Sequence, residues 1–317
     1  LAAARAALNP TELANRLRKN RRHWGRWARR EGIDAYRLYD RDIPDFPYAI
    51  DRYGDWLYVQ RIEGRRPARA ADLDAQLAAV ADGTETPAGR IVLRERRRQR
   101  GSAQYEKSDS PGHRLEVREG PLRFEVNLGR YLDTGLFLDH RLTRAWVGRQ
   151  AAGANFLNLF AYTGSFTVHA AAGGARRTVT VDMSATYQKW TRRNLLLNGF
   201  DDFKRHALVC ADVLGFIDRA VAARARFDLV VLDPPSFSNS KRMQESFDVQ
   251  RDHGRLLAQV ARLLSPGGRL VFSTNRRGFR LDATAAQLGT VEEITHRTVP
   301  PDFQRHRPHR CWLITTA

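Results

Sequence analysis

Cysteine is scarce in this chain. Cys210 and Cys311 are the only two in 317 residues. Two thiols cannot build a zinc cluster alone, and they make no disulfide framework. The chain therefore reads as a reduced, cytoplasmic protein. No apolar run approaches the length of a membrane span, and no signal peptide is visible. Internal repeats and low-complexity tracts are absent. A phosphate-cradling GK[ST] loop is missing, as is the G-x-G-x-x-G pattern that seats a dinucleotide pyrophosphate. Acidic residues are in short supply. Against 53 Lys and Arg there are 35 Asp and Glu, which leaves a formal charge of +18. That excess points to a polyanionic partner, with nucleic acid ahead of membrane.

What is present falls into three parts. Residues 9–31 read as one amphipathic helix, with Asn9 as cap, Pro10 in the first turn and Glu12 at the capping-box position. Leu13, Leu17, Trp24, Trp27 and Ala28 share one face, and Gly32 ends the helix. The other face carries Arg16, Arg18, Lys19, Arg21, Arg22, Arg26, Arg29 and Arg30. It reads either as a solvated surface or tether, or as an RNA contact. Residues 1–32 form the expected helical segment, and 33–127 a small α+β domain. The latter has strand-like stretches at 35–39, 48–52 and 56–62, a helix over 70–80, and a hairpin of 115–118 with 122–126. Within it Arg94, Arg96, Arg97 and Arg98 lie in a basic run. That run is either a charged strand edge that resists aggregation or an RNA-backbone contact, the reading adopted here. The polar stretch 101–112 is a candidate mobile segment near substrate.

Residues 128–317 form the expected main domain. Strands at 156–160, 178–181, 207–210, 229–232 and 269–273 alternate with helices at 166–172, 185–197, 213–222 and 255–264. The alternation implies an α/β, doubly wound, Rossmann-like sheet that is mostly parallel. The last two strands, 291–295 and 311–315, are joined by a polar loop. They are expected as an antiparallel pair at the carboxyl edge.

The first strand ends at Phe160 and turns through Tyr162, Thr163 and Gly164 into a helix. Such a turn brings backbone N–H groups to a ligand, and Gly164 allows a close approach. The second strand ends at Asp182, at the spacing of a ribose-binding carboxylate. The third ends at Asp212, able to accept from an adenine amino group, and the fourth at Asp233. Each aspartate singly could be a helix cap. Three in series after a glycine turn indicate a nucleoside cofactor. S-Adenosylmethionine fits this pattern, because it has no phosphate and carries a cationic sulfonium. Past the fourth strand, Asp233-Pro234-Pro-Ser-Phe237 forces a stiff, extended turn. Open α/β sheets hold their ligands at such strand ends. A carboxylate, backbone carbonyls and an aromatic ring there suit a flat nucleobase. No metal is expected.

At these residues the chain resembles a known family. NRLRKN (15–20), YLDTGLFLDHR (131–141), FLNLFAYTGSFTVHAAAGGA (156–175), LDPPSFSNSKRM (232–243), FSTNRRGFR (272–280) and CWLIT (311–315) occur in the family's order. They are similar to the RlmK-type carboxyl-terminal half of the bacterial bifunctional 23S rRNA large-subunit methyltransferases. The resemblance implies a class I methyltransferase fold. It implies S-adenosylmethionine bound at Tyr162, Thr163, Gly164, Asp182, Asp212 and Asp233. It also implies that 134–141 line the crevice, although Phe137 and Leu138 could equally be packing residues. The implied reaction is methylation of guanine N7 in 23S rRNA, naked or within an assembling large subunit. In that family an amino-terminal half carries an RNA-binding domain and a guanine-N2 methyltransferase. The opening at Leu1 rather than Met fits a fragment of such a chain. The wider group includes cytosine-C5 rRNA methyltransferases.

Guanine N7 has a lone pair and no proton, so it needs positioning rather than a base. Asp233 and the Pro234 carbonyl could stabilise the cationic product, with Phe237 stacked on the target. Cytosine C5 instead requires a thiolate to add at C6. The turn carries Ser236, not cysteine. Cys210 is expected to point into the core, and Cys311 to be a buried structural residue. Arg276, Arg277, Arg280, Arg305, Arg307 and Arg310 are expected phosphate contacts. His253 and His306 receive no role. The alternatives are guanine-N2 or cytosine-C5 transfer and a non-catalytic RNA-binding module. A nicotinamide oxidoreductase ranks last for want of its glycines.

Overall fold

The computed structural model describes residues 9–62, 70–96, 112–131, 133–238 and 246–317. Arg97, Arg98, nearly all of the 101–112 loop and Asn239–Lys241 lie outside the described residues, as does the side chain of Arg96. The chain divides into two compact units, 1–121 with 126–134, and 122–125 with 135–317.

The first unit opens with helix α1 (Pro10–Glu31). The Asn9 side chain accepts the Thr11 N–H, and Gly32 closes the helix in a left-handed conformation. The apolar stripe Leu13, Leu17 and Ala28 enters a core with Tyr36, Leu38, Ile50, Leu57, Val59 and Val80. The helix is thus part of the small unit's core. Strands β1 (Ala35–Asp40), β2 (Tyr48–Tyr53) and β3 (Trp56–Ile62) form an antiparallel meander. Helix α2 (Ala70–Thr84) then crosses over, so β4 (Ile91–Arg96) returns parallel to β3, as a crossover requires. Strands β5 (His113–Glu119) and β6 (Leu122–Leu128) make a ribbon.

The second unit contains α3 (Arg141–Gln150), β7 (Asn155–Leu159), α4 (Ser165–Ala172), β8 (Arg177–Asp182), α5 (Ala185–Leu197), β9 (His206–Cys210), α6 (Val213–Ala222) and β10 (Phe227–Leu232). A two-residue pair follows, β11 (Phe237–Ser238) and β12 (Phe247–Asp248). Then come α7 (Val249–Ala261), β13 (Leu264–Thr274), β14 (Thr290–Glu293), α8 (Thr295–Thr298) and β15 (Arg310–Thr315). The seven-stranded sheet has the order β14-β15-β13-β10-β7-β8-β9. Strands β13, β10, β7, β8 and β9 are parallel, and β15 is antiparallel to both β13 and β14. This is a mixed, doubly wound α/β sheet, as the alternation of strands and helices implies. The core strands are near-continuous apolar runs because helices cover both faces. The expected antiparallel pair is present, with β15 inserted between β13 and the edge strand β14.

Three expectations need correction. Helix α3 is absent from the sequence reading. Its buried residues include Arg141, Thr143 and Arg144 beside Val147, so its inner face has no apolar period to recognise. Helix α7 starts at Val249, not 255, because Asp248 caps the N–H groups of Gln250 and Arg251. Cys210 is exposed rather than in the core. It ends the edge strand β9, where neighbours stop on one side. No helix among the described residues is long and apolar enough to cross a membrane.

Candidate active site

The strand order reverses at β7. Strands β8 and β9 extend to one side of it, β10 and β13 to the other. Register pairs Leu159 with Val181 and with Leu232, so the chain leaves β7, β8 and β10 at one sheet edge. A crevice at this switch point is the usual ligand position in such sheets.

The turn after β7 is held in an unusual conformation. Phe160, Tyr162 and Gly164 all have positive φ. An L side chain at Gly164 would be strained, and its Cβ would come within 2.2 Å of a Thr191 methyl. The turn is fixed from helix α5 and from the segment before α3. Asn194 donates to the Thr163 carbonyl at 2.9 Å, and the Thr163 hydroxyl donates to Gly135 O at 2.5 Å. Gly164 caps α4 without any side-chain bond to the first-turn N–H groups. Those donors therefore face the crevice end of the helix, open to an acceptor.

Asp182 ties the turn to β8. One carboxylate oxygen accepts the Tyr162 N–H at 2.9 Å and the other the Ser184 N–H at 2.8 Å. Burial pushes its carboxyl up to about 6, although both N–H bonds pull the other way. A carboxylate so desolvated retains lone pairs for a ribose hydroxyl. Asp212 does cap a helix: it accepts the Gly215 N–H at 2.8 Å at the start of α6. Capping uses one oxygen and leaves the other available. Tyr162 is flanked by Phe137 at 5.0 Å and Tyr187 at 4.6 Å between ring centroids. Leu138 is buried, whereas Phe137 is 39% exposed. The two neighbours thus divide the readings between them, one packing and one standing at the turn.

On the β10 side, Asp233 accepts from the Ser273 hydroxyl at 2.7 Å. Pro234 is buried and Phe237 is 40% exposed. Ser236 donates to the Asn275 side chain at 2.6 Å, which anchors the turn to the end of β13. Behind Asp233 lies a pair of histidines that no sequence motif marks. His140 Nε2 is 3.6 Å from the second Asp233 oxygen. The His140 ring stacks on His309 at 4.2 Å, and His309 Nδ1 bonds Asp139 at 2.9 Å. Burial, then the nearness of His309, pushes His140 below its usual pKa, so the ring is neutral at pH 7. Its Nδ1 is buried with no hydrogen-bond partner among the described residues. Asp139, His140 and His309 cluster closely enough for a metal to be considered. The ring planes differ by only 15°, so their in-plane lone pairs run side by side instead of converging on one ion. No signal in one sequence joins residues 139–140, 233 and 309; strand insertion does.

Cys311 is fully buried. Burial, with the charge of Asp233 nearby, pushes its thiol far above the usual value. His253 bridges Val249 O and the Asp282 N–H, a structural tie. The basic residues divide. Arg276 donates to both oxygens of Asp248, at 2.8 and 3.0 Å, and Arg310 is held by Glu293 and Phe279 O. Arg94 bonds the Tyr131 carbonyl at 2.9 Å. Arg277, Arg280, Arg305 and Arg307 are exposed.

Residues 61–311 match the family of S-adenosylmethionine-dependent methyltransferases. The chain belongs to that family. S-Adenosylmethionine is accordingly its cofactor, and the uncapped α4 terminus and the desolvated Asp182 suit a ligand with acceptor and hydroxyl groups. Solved structures agree on the fold. A candidate methyltransferase complexed with SAH is 24% identical with a TM-score of 0.79, over 98% of this chain and 83% of that one. A candidate SAM-dependent methyltransferase from Streptococcus mutans is 24% identical with a TM-score of 0.78, over the same shares. A SAM-dependent methyltransferase from Agrobacterium tumefaciens is 18% identical with a TM-score of 0.59, over 85% and 87%.

Proposed function

We propose that this methyltransferase transfers a methyl group from S-adenosylmethionine to N7 of a guanine in 23S rRNA. In this reading Phe160, Tyr162, Thr163, Gly164, Asp182 and Asp212 hold the cofactor. Asp233 and the Pro234 carbonyl face the developing positive charge on the base, and Phe237 stacks on it. One observation carries the choice of atom. The crevice beside Asp233 has a carboxylate and an exposed aromatic ring, while its nearby thiol, Cys311, is buried and held protonated. A nucleophile that attacks with its own lone pair needs no more than that. Cytosine C5 would need a thiolate.

The net charge of +18 supports a nucleic-acid substrate, with exposed Arg277, Arg305 and Arg307 as phosphate contacts. Arg94 and Arg276 already hold protein acceptors, so in this reading they support the surface and contact RNA with what donors remain. Guanine N2 is the second reading. An exocyclic amine sheds a proton on transfer, and Asp233, backed by neutral His140 at 3.6 Å, is a carboxylate able to accept one.

The test is methylation of protein-free 23S rRNA lacking the modification, followed by nucleoside analysis by mass spectrometry. 7-Methylguanosine is the expected product. N2-Methylguanosine would move the assignment to the amine, and 5-methylcytidine would overturn the argument from Cys311.

A further inference from the structure

Helix α1 carries basic residues in two populations. Arg18 and Arg21 pair with Asp82 and Glu85 of α2 and its following turn. Arg16 reaches towards Asp42 at 4.0 Å, and Arg30 pairs with Glu31. Lys19, Arg22, Arg26 and Arg29 are exposed, and no ion pair joins them to any described residue. Their spacing is three, four and three. At about 100° per residue they fall within an arc of roughly 80°, and they span ~15 Å of axis. Leu13, Leu17, Trp24 and Ala28 lie on the opposite side, packed in the small unit's core.

Four cations in one row on the outer face of α1, with no acidic partner among the described residues, repel one another. Among the described residues, nearby acids pair with the flanking arginines and not with this row. The apolar face is occupied, so the helix cannot lie in a lipid interface as an amphipathic anchor does. What the row fits is a line of regularly spaced anionic charges.

We propose that Lys19, Arg22, Arg26 and Arg29 form a rail that binds the phosphate backbone of the RNA substrate without reading its sequence. The inference rests on the RNA reading above, not on which base atom is methylated. Successive cations of the row advance by ~4.5 to ~6 Å along the helix axis, so the row can follow a run of backbone phosphates.

The experiment compares the full chain with a variant carrying Lys19→Gln, Arg22→Gln, Arg26→Gln and Arg29→Gln. A control variant neutralises Arg219, Arg224, Arg255 and Arg262, exposed residues of the second unit. Binding to a 23S rRNA transcript is followed as a function of salt, with S-adenosylmethionine affinity as the check on folding. The rail variant is expected to keep cofactor affinity and to lose tenfold or more in RNA affinity. Its log–log salt slope should fall by about 3, from the release of fewer counterions. The control should change the slope by less than 1. An unchanged slope in the rail variant, or an equal fall in both, overturns the rail. So does wild-type binding to phosphatidylserine vesicles that the rail variant loses while RNA binding stays intact. If the rail variant loses RNA affinity and the product proves not to be 7-methylguanosine, the rail stands and the atom assignment falls. If 7-methylguanosine forms with unchanged kcat/KM and unchanged salt slope, the reverse holds.

Discussion

The two sides of the crevice are built differently. On the β7–β8–β9 side each functional group sits at the end of a successive strand, so Gly164, Asp182 and Asp212 follow one another along the chain. On the β10–β13–β15 side Asp233 meets Ser273, His140 and Cys311, which come from three distant stretches. In the proposed reading, the first side holds a cofactor common to many substrates with a local, repeated unit. The second side holds the base with a combination that only the topology assembles. The difference makes the two sides separable by mutation.

Gly164→Ala should have the largest effect. It strains a φ of +73° and drives a Cβ against Thr191, so S-adenosylmethionine affinity should fall by more than about a hundredfold. Calorimetry on the folded variant would check this. Retained binding would mean that the turn does not hold the cofactor.

Asp182→Asn should weaken the cofactor by about tenfold, and pH sharpens the point. Burial raises the native carboxyl from 3.8 to about 6. The native state therefore keeps a proton that the unfolded chain has lost between those values, and stability falls as pH rises through that window. A ribose hydroxyl donates to the ionised form. Affinity for S-adenosylmethionine should rise from pH 5 to pH 7 with a midpoint near 6, and Asp182→Asn should flatten the curve. A wild-type affinity without that inflection would remove Asp182 from the ribose.

His140→Ala tests the other side. It should lower kcat about fivefold through Asp233 and leave cofactor affinity unchanged, the value of one lost polar contact. A parallel loss of cofactor affinity would show that the two sides are not separable. Cys311→Ala should have the smallest effect on turnover, within about twofold, with about 1 kcal/mol of stability lost from the small cavity. Abolished transfer with normal folding would reinstate a thiol nucleophile.

Legibility follows the same division. The strand ends at Phe160, Asp182, Asp212 and Asp233 could be read from period and spacing, because each lies beside its own apolar run. The capping expectation for Asp212 was also readable from its position before Val213. Helix α3 was not, since Arg141, Thr143 and Arg144 occupy positions where the period expects apolar residues. The stack of His140 on His309 was hidden for another reason. It depends on β15 entering between β13 and β14, a pairing that neither strand announces locally. Arg276 shows the limit of counting charge: Asp248, also the cap of α7, already holds it.

Guanine N7 as the accepting atom is open to a direct test. Two 23S rRNA transcripts would be compared with labelled S-adenosylmethionine, one ordinary and one made with 7-deazaguanine in place of guanine. The second keeps the pairing edge and the exocyclic amine but has C–H where N7 was. Transfer to N7 gives methyl incorporation into the first transcript alone. Equal incorporation into both would rule N7 out.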